Sequence, residues 1–158
     1  MKALTNSEVL RNIRRILKEK EIAFEEREHE AVFTSEQAAK ARGLESEKDG
    51  IKSLIFKTEN GEFLIILNPG NEKVDVSKIK EKEGVKHLSL AKPEEVKKVT
   101  GVTIGCVAPF GMRNKLKTYL NTTLLKSERL YFNPGAHTKT IAIKSKDLPK
   151  ILGDYIEF

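Results

Sequence analysis

At 158 residues the chain is long enough for a hydrophobic core of its own, and we expect a single domain over residues 1–158. Hydrophobic residues make up 39% and charged residues 33%, as is typical of a globular protein, and no apolar run approaches the roughly 20 residues of a membrane-spanning helix. The single cysteine excludes an internal disulfide, and the first ten residues lack the apolar core of a signal peptide, so we expect a cytoplasmic protein with no membrane partner.

The chain is moderately basic, with 29 Lys and Arg against 23 Asp and Glu and a net charge of +6. A basic excess suggests a polyanionic partner such as a nucleic acid. A surface rich in Lys and Glu, as in proteins from heat-loving sources, explains the same numbers. Charge alone favours the second explanation, so a nucleic-acid partner needs support from the motifs.

The first predicted elements are a helix, a strand and a second helix. Apolar residues recur at helical spacing over residues 9–17, behind a Thr5-x-x-Glu8 capping box. The segment IAFEEREHE alternates and predicts a short strand that ends near His29. The segment FTSEQAAKARG predicts the second helix, capped by Thr34 and ended by Gly43.

Two apolar runs, IKSLIFKT and EFLIILNP, predict a pair of strands joined by a hairpin at Asn60-Gly61. Their near-continuous apolar character predicts that both faces of the sheet are covered. Alternation places Lys52 on the same face as Leu54 and Phe56. An ammonium on an apolar face is unusual, although a lysine that reaches solvent from a strand end is the common explanation.

The second half of the chain continues the mixture of helices and strands. Short helices are predicted over DVSKIKEKEG and KPEEVKKVTG, with the strand KHLSL between them. The glycine-bounded loop GCVAPFGM precedes extended segments in LKTYLNTTLLKSERLYF, a strand in KTIAIKS, a helix in KDLPKIL and a closing strand in DYIEF. The predicted fold is α/β of the α+β type: a mixed, largely antiparallel curved sheet with flanking helices. Neither a G-x-G-x-x-G nor a Walker motif is present, which argues against a doubly wound nucleotide fold.

No group of residues in the sequence has the spacing of a metal site. His29, His87 and His137 are far apart and pair with no Cys or acid at ligand spacing, so we expect neither a metal nor a cofactor. Cys106 has two interpretations: a nucleophile that uses a histidine as its base, or a small buried core residue. The usual fate of a lone cysteine favours the second, and the absence of G-x-S-x-G argues against a serine hydrolase.

Two loops are candidate binding elements. In GCVAPFG, Gly105 and Gly111 bracket Pro109, so the backbone can bend tightly and present N–H groups to a carbonyl oxygen, unless the loop is a plain connecting turn. In YFNPGAHTKT, Asn133 and His137 could present polar groups at one site, or they could satisfy backbone groups of the turn itself. The residues alone leave both alternatives open.

In chain order, EHEAVFTSEQAAKARG, IKSLIF, GCVAPFG and FNPGAHTKTIAIKSKDL resemble the YbaK/ProX superfamily. Members of this superfamily are free-standing aminoacyl-tRNA deacylases, related to the editing insertion of bacterial prolyl-tRNA synthetases. The resemblance implies the YbaK/ProRS-associated domain fold. It also implies editing in trans, in which water hydrolyses the ester of a mischarged tRNA that carries a small amino acid, on tRNA for proline or another small residue.

The resemblance further implies roles for residues. Lys52, at the mouth of its strand, would be the catalytic residue, and the pocket around it would bind substrate through His29, Phe33, Gly105, Ala108, Pro109, Phe110, Gly111, Asn133, Gly135 and His137. The expected partner is tRNA, and an aminoacyl-tRNA synthetase is a second candidate partner. Two basic segments are predicted to contact tRNA. Arg113, Lys115 and Lys117 directly follow the pocket loop, and Arg14 and Arg15 lie on the basic face of the first helix.

The chain departs from the ProX-type pattern, in which Phe-His-Pro is followed by Asn-Thr. Here Phe132, Asn133 and Pro134 are followed by His137 and Thr138, which leaves the amino acid open but not the reaction class. An alternative function is a non-catalytic RNA-binding or synthetase-associated module on the same fold. Lys52 discriminates between the two, because a binding module has no need of a lysine that faces apolar neighbours.

Overall fold

The structure is a computed structural model that describes residues 6–44 and 47–158, so Thr5 of the first predicted capping box lies outside the described residues. The helices within them are α1 (Asn6–Glu19), α2 (Ser35–Ala41), α3 (Val76–Glu83), α4 (Pro93–Thr100) and α5 (Leu148–Leu152). The strands are β1 (Phe24–Glu28), β2 (Ile51–Thr58), β3 (Phe63–Pro69), β4 (Leu88–Leu90), β5 (Lys117–Leu120), β6 (Arg129–Phe132), β7 (Lys139–Lys144) and β8 (Ile156–Glu157).

The described strands form two sheets. One has the order β1-β7-β6 and is antiparallel throughout. The other has the order β4-β2-β3-β5-β8, antiparallel from β4 to β3 and parallel from β3 to β8. Gly50 forms an isolated bridge with Tyr131 and so joins the start of β2 to β6. The predicted mixed, largely antiparallel arrangement is confirmed, whereas its division into two sheets was not predicted.

Both faces of β2 are buried, as the apolar run predicted. Ile51 and Ile55 belong to the larger core cluster, which also receives side chains of α1, α4 and α5. Phe56 belongs to a smaller cluster with Ile79 of α3, and Leu54 packs against that cluster. Because successive side chains of a strand point to opposite faces, Lys52 lies on the face of the smaller cluster.

Turn and cap residues mark the ends of several elements where the sequence predicted them. The hairpin between β2 and β3 closes through a hydrogen bond from Gly61 N to Thr58 O at 3.0 Å, with Gly61 at φ 81°. Thr34 caps α2, because its Oγ1 accepts from Gln37 N at 3.0 Å. The glycine after α2, Gly43, has φ 74°, the left-handed conformation that ends a helix.

One predicted element was wrong. Residues 122–126, expected to be extended, form a short 3-10 helix. The Asn121 side chain starts this turn, because its Oδ1 accepts a hydrogen bond from Thr123 N at 3.0 Å. An Asn cap is a local signal for a helical turn, and it prevails here over the apolar pattern of the leucines that follow.

Candidate active site

A cavity of about 350 Å³ lies between α2 and β2. β4 pairs only with residues 56–58 of β2, so no strand of the described part of the chain covers the β2 edge at residues 51–55 on that side. α2 lies over this edge and turns one face toward it, with residues 35, 38, 39 and 42 in the lining. The cavity is completed by Ile104, Gly105 and Val107 from the loop after α4 and by Asn133 from the turn after β6.

Lys52 lines this cavity and is held by a backbone oxygen. Its Nζ donates to Glu72 O at 2.8 Å, and the fully buried Asn68 donates Nδ2 to the same oxygen at 2.9 Å. Asn121 in turn donates to Asn68 Oδ1 at 2.8 Å. Among the described residues no carboxylate forms an ion pair with Lys52, so its charge is oriented but not neutralised. An ammonium has further N–H donors that remain for a ligand.

The cavity brings together residues that are far apart in the sequence. Phe33 and His137 are in ring contact, with centroids 4.5 Å apart. Asn133 Nδ2 donates to Gly105 O at 3.2 Å, which ties the turn after β6 to the glycine loop. Phe33, Lys52, Gly105 and Asn133 are therefore the predicted site residues that line the cavity.

The second half of the glycine loop, Ala108, Pro109, Phe110 and Gly111, does not line the cavity, so a substrate-binding role for these residues stays a prediction. Ala108 is fully buried in the larger core. Phe110 stacks edge-on against Phe132 at 5.4 Å between centroids. Gly111 lies against α1, where its carbonyl accepts from Asn12 Nδ2 at 2.8 Å. The loop therefore presents only its first half to the cavity and uses its second half to pack against the core and α1.

Neither His29 nor Gly135 lines the cavity. His29 makes two hydrogen bonds, from Nδ1 to Glu30 O at 2.7 Å and between Nε2 and Thr140 Oγ1 at 2.8 Å. Since a carbonyl oxygen only accepts, Nδ1 carries the proton and Nε2 of the neutral ring accepts from the Thr140 hydroxyl. Gly135 donates its N–H to Asn133 Oδ1 at 2.9 Å, so Asn133 also organises its own turn.

His137 stands beside the cavity rather than in its lining. Its Nδ1 bonds to Val32 O at 2.8 Å, so Nδ1 carries the proton and Nε2 is the acceptor of the neutral ring. Within the described part of the chain, Nε2 has no hydrogen-bond partner. A Cβ added at Gly105 would lie 3.1 Å from His137 Cε1, so only glycine lets the loop approach this ring so closely.

Cys106 is fully buried and lies in the larger core cluster, as the core interpretation predicted. Burial raises the pKa of its thiol. Hydrogen bonds with Thr103 and the His137 backbone lower the pKa, but they offset only part of this rise. A thiol of raised pKa that solvent does not reach is a poor nucleophile. The geometry therefore gives no support to a cysteine-dependent hydrolase.

The cations predicted to contact tRNA are mostly engaged elsewhere. Arg14 is paired with Glu26, Arg15 with Glu19 at 3.1 Å, and Lys117 with Glu83 at 3.0 Å. Lys115 lies 4.0 Å from Asp154, and Arg113 donates to Lys98 O at 3.2 Å.

Strand register also separates Lys117 from Lys52. Lys117 is level with Leu64 of β3, whereas Lys52 is level with Asn68 at the other end of that strand. A separation of this kind is about 13 Å along the strand. Lys117 therefore lies away from the cavity, and its contact with tRNA stays a prediction.

Among the cavity residues that the sequence analysis did not predict are the polar residues Arg42 and Ser53. Arg42 follows Ser35, Ala38 and Ala39 at helical spacing, so the period of α2 could have placed it on the cavity face. Ser53 lies on the β2 face opposite to Lys52. Both residues line one cavity because no described strand pairs with this part of the β2 edge.

No helix among the described residues combines the length and apolar character needed to cross a membrane. Nor do three or more of their His, Cys, Asp or Glu side chains come together as metal ligands.

The comparison with known families supplies the identification. A family model described as the aminoacyl-tRNA editing domain matches residues 29–151, well over half of the chain. The chain belongs to this family. The match includes α2, the strand of Lys52, the glycine loop and the turn of Asn133, which are the elements that surround the cavity.

Individual relatives agree with the family. Uncharacterized protein YwhH of Bacillus subtilis (strain 168) is 32% identical over 115 residues, which cover 73% of this chain and 72% of that protein. Multifunctional Ser/Thr-tRNA deacylase ProXp-y of Escherichia coli (strain K12) is 30% identical over 127 residues, which cover 78% of this chain and 75% of that protein. A crystal structure described as a candidate trans-editing enzyme for prolyl tRNA synthetase is 28% identical, with a TM-score of 0.82 and coverage of 94% and 95%. The resemblance found in the sequence is confirmed for the family and its fold.

Proposed function

We propose that this editing-domain protein is an aminoacyl-tRNA deacylase that acts in trans, hydrolysing the ester of a mischarged tRNA. The observation that carries the proposal is the cavity, where the ammonium of Lys52 and the backbone of the glycine loop face one space. Membership of the editing family and similarity to a protein named as a Ser/Thr-tRNA deacylase support the same reaction class.

Lys52 would stabilise negative charge on the substrate. Hydrolysis of an ester passes through a tetrahedral state in which the carbonyl oxygen becomes an oxyanion. The ammonium is held by Glu72 O and is not neutralised by a described acid, so it can serve the ester carbonyl or the terminal phosphate. Charge placed before the reaction needs no reorganisation as the oxyanion forms, and this makes it effective.

Backbone amides of the glycine loop would assist Lys52. Gly105 and Val107 line the cavity, and within the described residues neither backbone N–H has a hydrogen-bond partner. By contrast, Cys106 N between them donates to Thr103 O at 3.0 Å. Alternate amides of the loop are thus available to an oxyanion, while the one between them stabilises the loop.

The nucleophile would be water. An aminoacyl ester is already activated, so positioning and charge stabilisation can replace a covalent nucleophile. A ribose hydroxyl of the substrate would activate this water, accepting its proton while passing its own proton to the leaving ester oxygen. His137 Nε2 is a second acceptor near the loop and would position that hydroxyl or the water.

The size of the cavity would select the amino acid. About 350 Å³ is at the small end of the range for ligand pockets, and apolar residues form much of the wall. A small aminoacyl group would enter, whereas a large one would be excluded by size, which is the principle of a second sieve. The protein would therefore remove small amino acids, with tRNA for proline among the candidate carriers.

A deacylation panel tests the proposal. The purified protein is mixed with tRNAs charged with alanine, cysteine, serine, threonine and proline, and loss of the ester is followed under single-turnover conditions. We expect faster hydrolysis than in buffer alone for at least one small amino acid. Hydrolysis of none of them, with measurable tRNA binding, would instead support the non-catalytic RNA-binding module.

A further inference from the structure

Arg42 is a buried cation that the proposed mechanism does not use. It follows the last turn of α2, its side chain lines the cavity, and the residue is only 9% exposed. Its pKa is lowered to about 10 by burial, which withdraws the charged guanidinium from water. The side chain is still cationic near pH 7, so the protein maintains a buried positive charge at the expense of its solvation.

The guanidinium has an uncharged partner and no acidic one in the described part of the chain. Nε donates to Thr140 Oγ1 at 3.0 Å. Neither terminal nitrogen has a hydrogen bond to a described group, and no described carboxylate forms an ion pair with Arg42. The lining includes Glu47, but its carboxylate is in no ion pair of the described residues either.

The position of Arg42 is fixed by its surroundings. Thr140 donates its proton to His29 Nε2, so its oxygen is oriented to accept from Arg42 Nε. Gly50 leaves room for the guanidinium, because a Cβ added there would lie 3.0 Å from Nη1. The backbone N–H of Arg42 donates to Ala38 O, which anchors the residue to its helix. The charge is therefore held in one place, as a binding group must be.

Ser53 adds a polar group whose hydrogen-bonding capacity is not used by the described residues. It lines the same cavity, and its Oγ is buried without a hydrogen-bond partner among the described residues. An unpaired buried hydroxyl costs stability, as an unpaired buried charge does. The cavity thus holds a cation without an acidic partner and a buried hydroxyl without a hydrogen-bond partner among the described residues, and a bound anion would satisfy both.

We propose that Arg42 and Ser53 form an oxyanion-binding subsite within the cavity, which takes a carboxylate or phosphate group. The planar guanidinium matches the paired oxygens of such an anion, and the serine hydroxyl can donate to one of them. The identity of the anion rests on the proposed function. It is either a carboxylate on the side chain of the aminoacyl group or a phosphate of the tRNA 3′ end.

Anion binding is tested first, without any tRNA. Inorganic phosphate and acetate are titrated calorimetrically into the wild type, Arg42→Met, Arg42→Lys and Ser53→Ala, with Lys40→Met as a matched control. Lys40 is an exposed cation on the same helix and does not line the cavity. We expect Arg42→Met to weaken binding of at least one anion roughly 30-fold or more, and Lys40→Met to leave it unchanged.

Stability separates this subsite from a structural role. Because the mutation removes a buried charge that has no acidic partner among the described residues, we expect Arg42→Met to melt at or above the wild-type temperature. A large loss of stability in Arg42→Met and Arg42→Lys, with anion binding unchanged in Ser53→Ala, would mean that Arg42 only supports the fold. Anion affinities equal to those of Lys40→Met in all cavity variants would also overturn the subsite.

A deacylation panel identifies the source of the anion. Hydrolysis is compared between wild type and Arg42→Met on tRNAs charged with alanine, serine, aspartate and glutamate. A selective loss on the acidic amino acids assigns a side-chain carboxylate, and an equal loss on all assigns a tRNA phosphate. Unchanged rates on all substrates would overturn the inference but leave the proposed function intact. If the wild type hydrolyses none, the proposed function fails, and the anion titrations alone decide whether the subsite exists.

Discussion

At the scale of single residues, the cavity is distinguished by the way its cations are held. Lys52 bonds to the carbonyl of Glu72, and Arg42 bonds to the hydroxyl of Thr140. Elsewhere on the surface, cations such as Arg14 and Lys57 are paired with carboxylates. An uncharged oxygen orients a cation without cancelling its charge, so the cavity retains positive potential for a negatively charged substrate.

Cys106 provides a test of the water-based mechanism. We expect Cys106→Ala to keep most deacylation activity and to lose about 1–2 kcal/mol of stability, because the thiol is a buried core group with no described base. Single-turnover rates and urea unfolding of the variant measure the two effects. A normally folded Cys106→Ala that lost activity by about 10³ or more would make this thiol the nucleophile.

The pair of Arg14 and Glu26 predicts a pH dependence of stability. The side-chain hydrogen bond from Arg14 lowers the pKa of Glu26 in the folded protein. A lowered folded pKa contributes stability above the pKa of the unfolded chain, and this contribution is lost as pH falls through the folded value. Glu26→Gln should therefore be less stable than wild type at pH 7, by up to about 1 kcal/mol.

Urea unfolding of wild type and Glu26→Gln between pH 7 and pH 3 measures this effect. The difference between the two should shrink toward zero as the pH falls. A difference that stayed constant over this range would show that Glu26 stabilises the fold by packing and not by its charge.

At the scale of elements, the glycine loop has two halves with different tasks. Gly105 and Val107 face the cavity, whereas Phe110 and Gly111 pack against β6 and α1. The sequence showed that the loop bends, through its glycines and proline, but not which half would face the ligand. That division depends on contacts with Phe132 and α1, residues that are distant in the sequence, and a local pattern cannot encode it.

A pair of glycine substitutions tests the packing half of the loop. Gly111 has φ 83°, and a Cβ there would lie 2.8 Å from Ile13 Cγ1; Gly61 has φ 81° with nothing within 4 Å. Gly61→Ala should cost only the backbone strain, about 1 kcal/mol, and Gly111→Ala about 1–3 kcal/mol more for the clash with α1. Urea midpoints at unchanged m-values give both numbers. Equal losses would mean that α1 does not pack tightly on the loop.

Other elements show how far local patterns can predict. The hairpin at Gly61 and the Thr34 cap of α2 were predicted correctly because turn and cap chemistry is local. The open edge of β2 could not be predicted, since it depends on β4 pairing with residues 56–58 only. The cavity exists because this edge is open. The sequence therefore identified the strand of Lys52 but not Arg42 and Ser53 as cavity residues.

At the scale of the whole molecule, the cavity lies where the two sheets meet. The bridge between Gly50 and Tyr131 joins the sheets beside Arg42, and α2 covers the junction. Each sheet contributes one group of the candidate site: Lys52 from the larger sheet and the Thr140 contact of Arg42 from the smaller. We infer that the relative position of the sheets controls the spacing of the two cations.

Binding of tRNA belongs to this scale as well. Lys117 is paired with Glu83, whose side chain is only 5% exposed, so its charge is already compensated. In the segment after the glycine loop, we therefore test the predicted tRNA contacts of Arg113 and Lys115. If each of these neutralises one phosphate, the double change to Ala should flatten the log–log salt dependence of tRNA affinity by about 1.4. Hydrolysis of a minimal aminoacyl ester should change little. An unchanged slope would place the tRNA on another surface.

The central claim, that Lys52 catalyses ester hydrolysis, is tested most directly by the single-turnover deacylation rate of Lys52→Ala. Lys57→Ala is the matched control, because Lys57 is on the same strand, does not line the cavity and pairs with Glu95 at 2.7 Å. We predict that Lys52→Ala lowers the rate by about 10²–10³, at unchanged secondary structure, and that Lys57→Ala stays close to wild type. A folded Lys52→Ala that deacylates as fast as Lys57→Ala would contradict the claim.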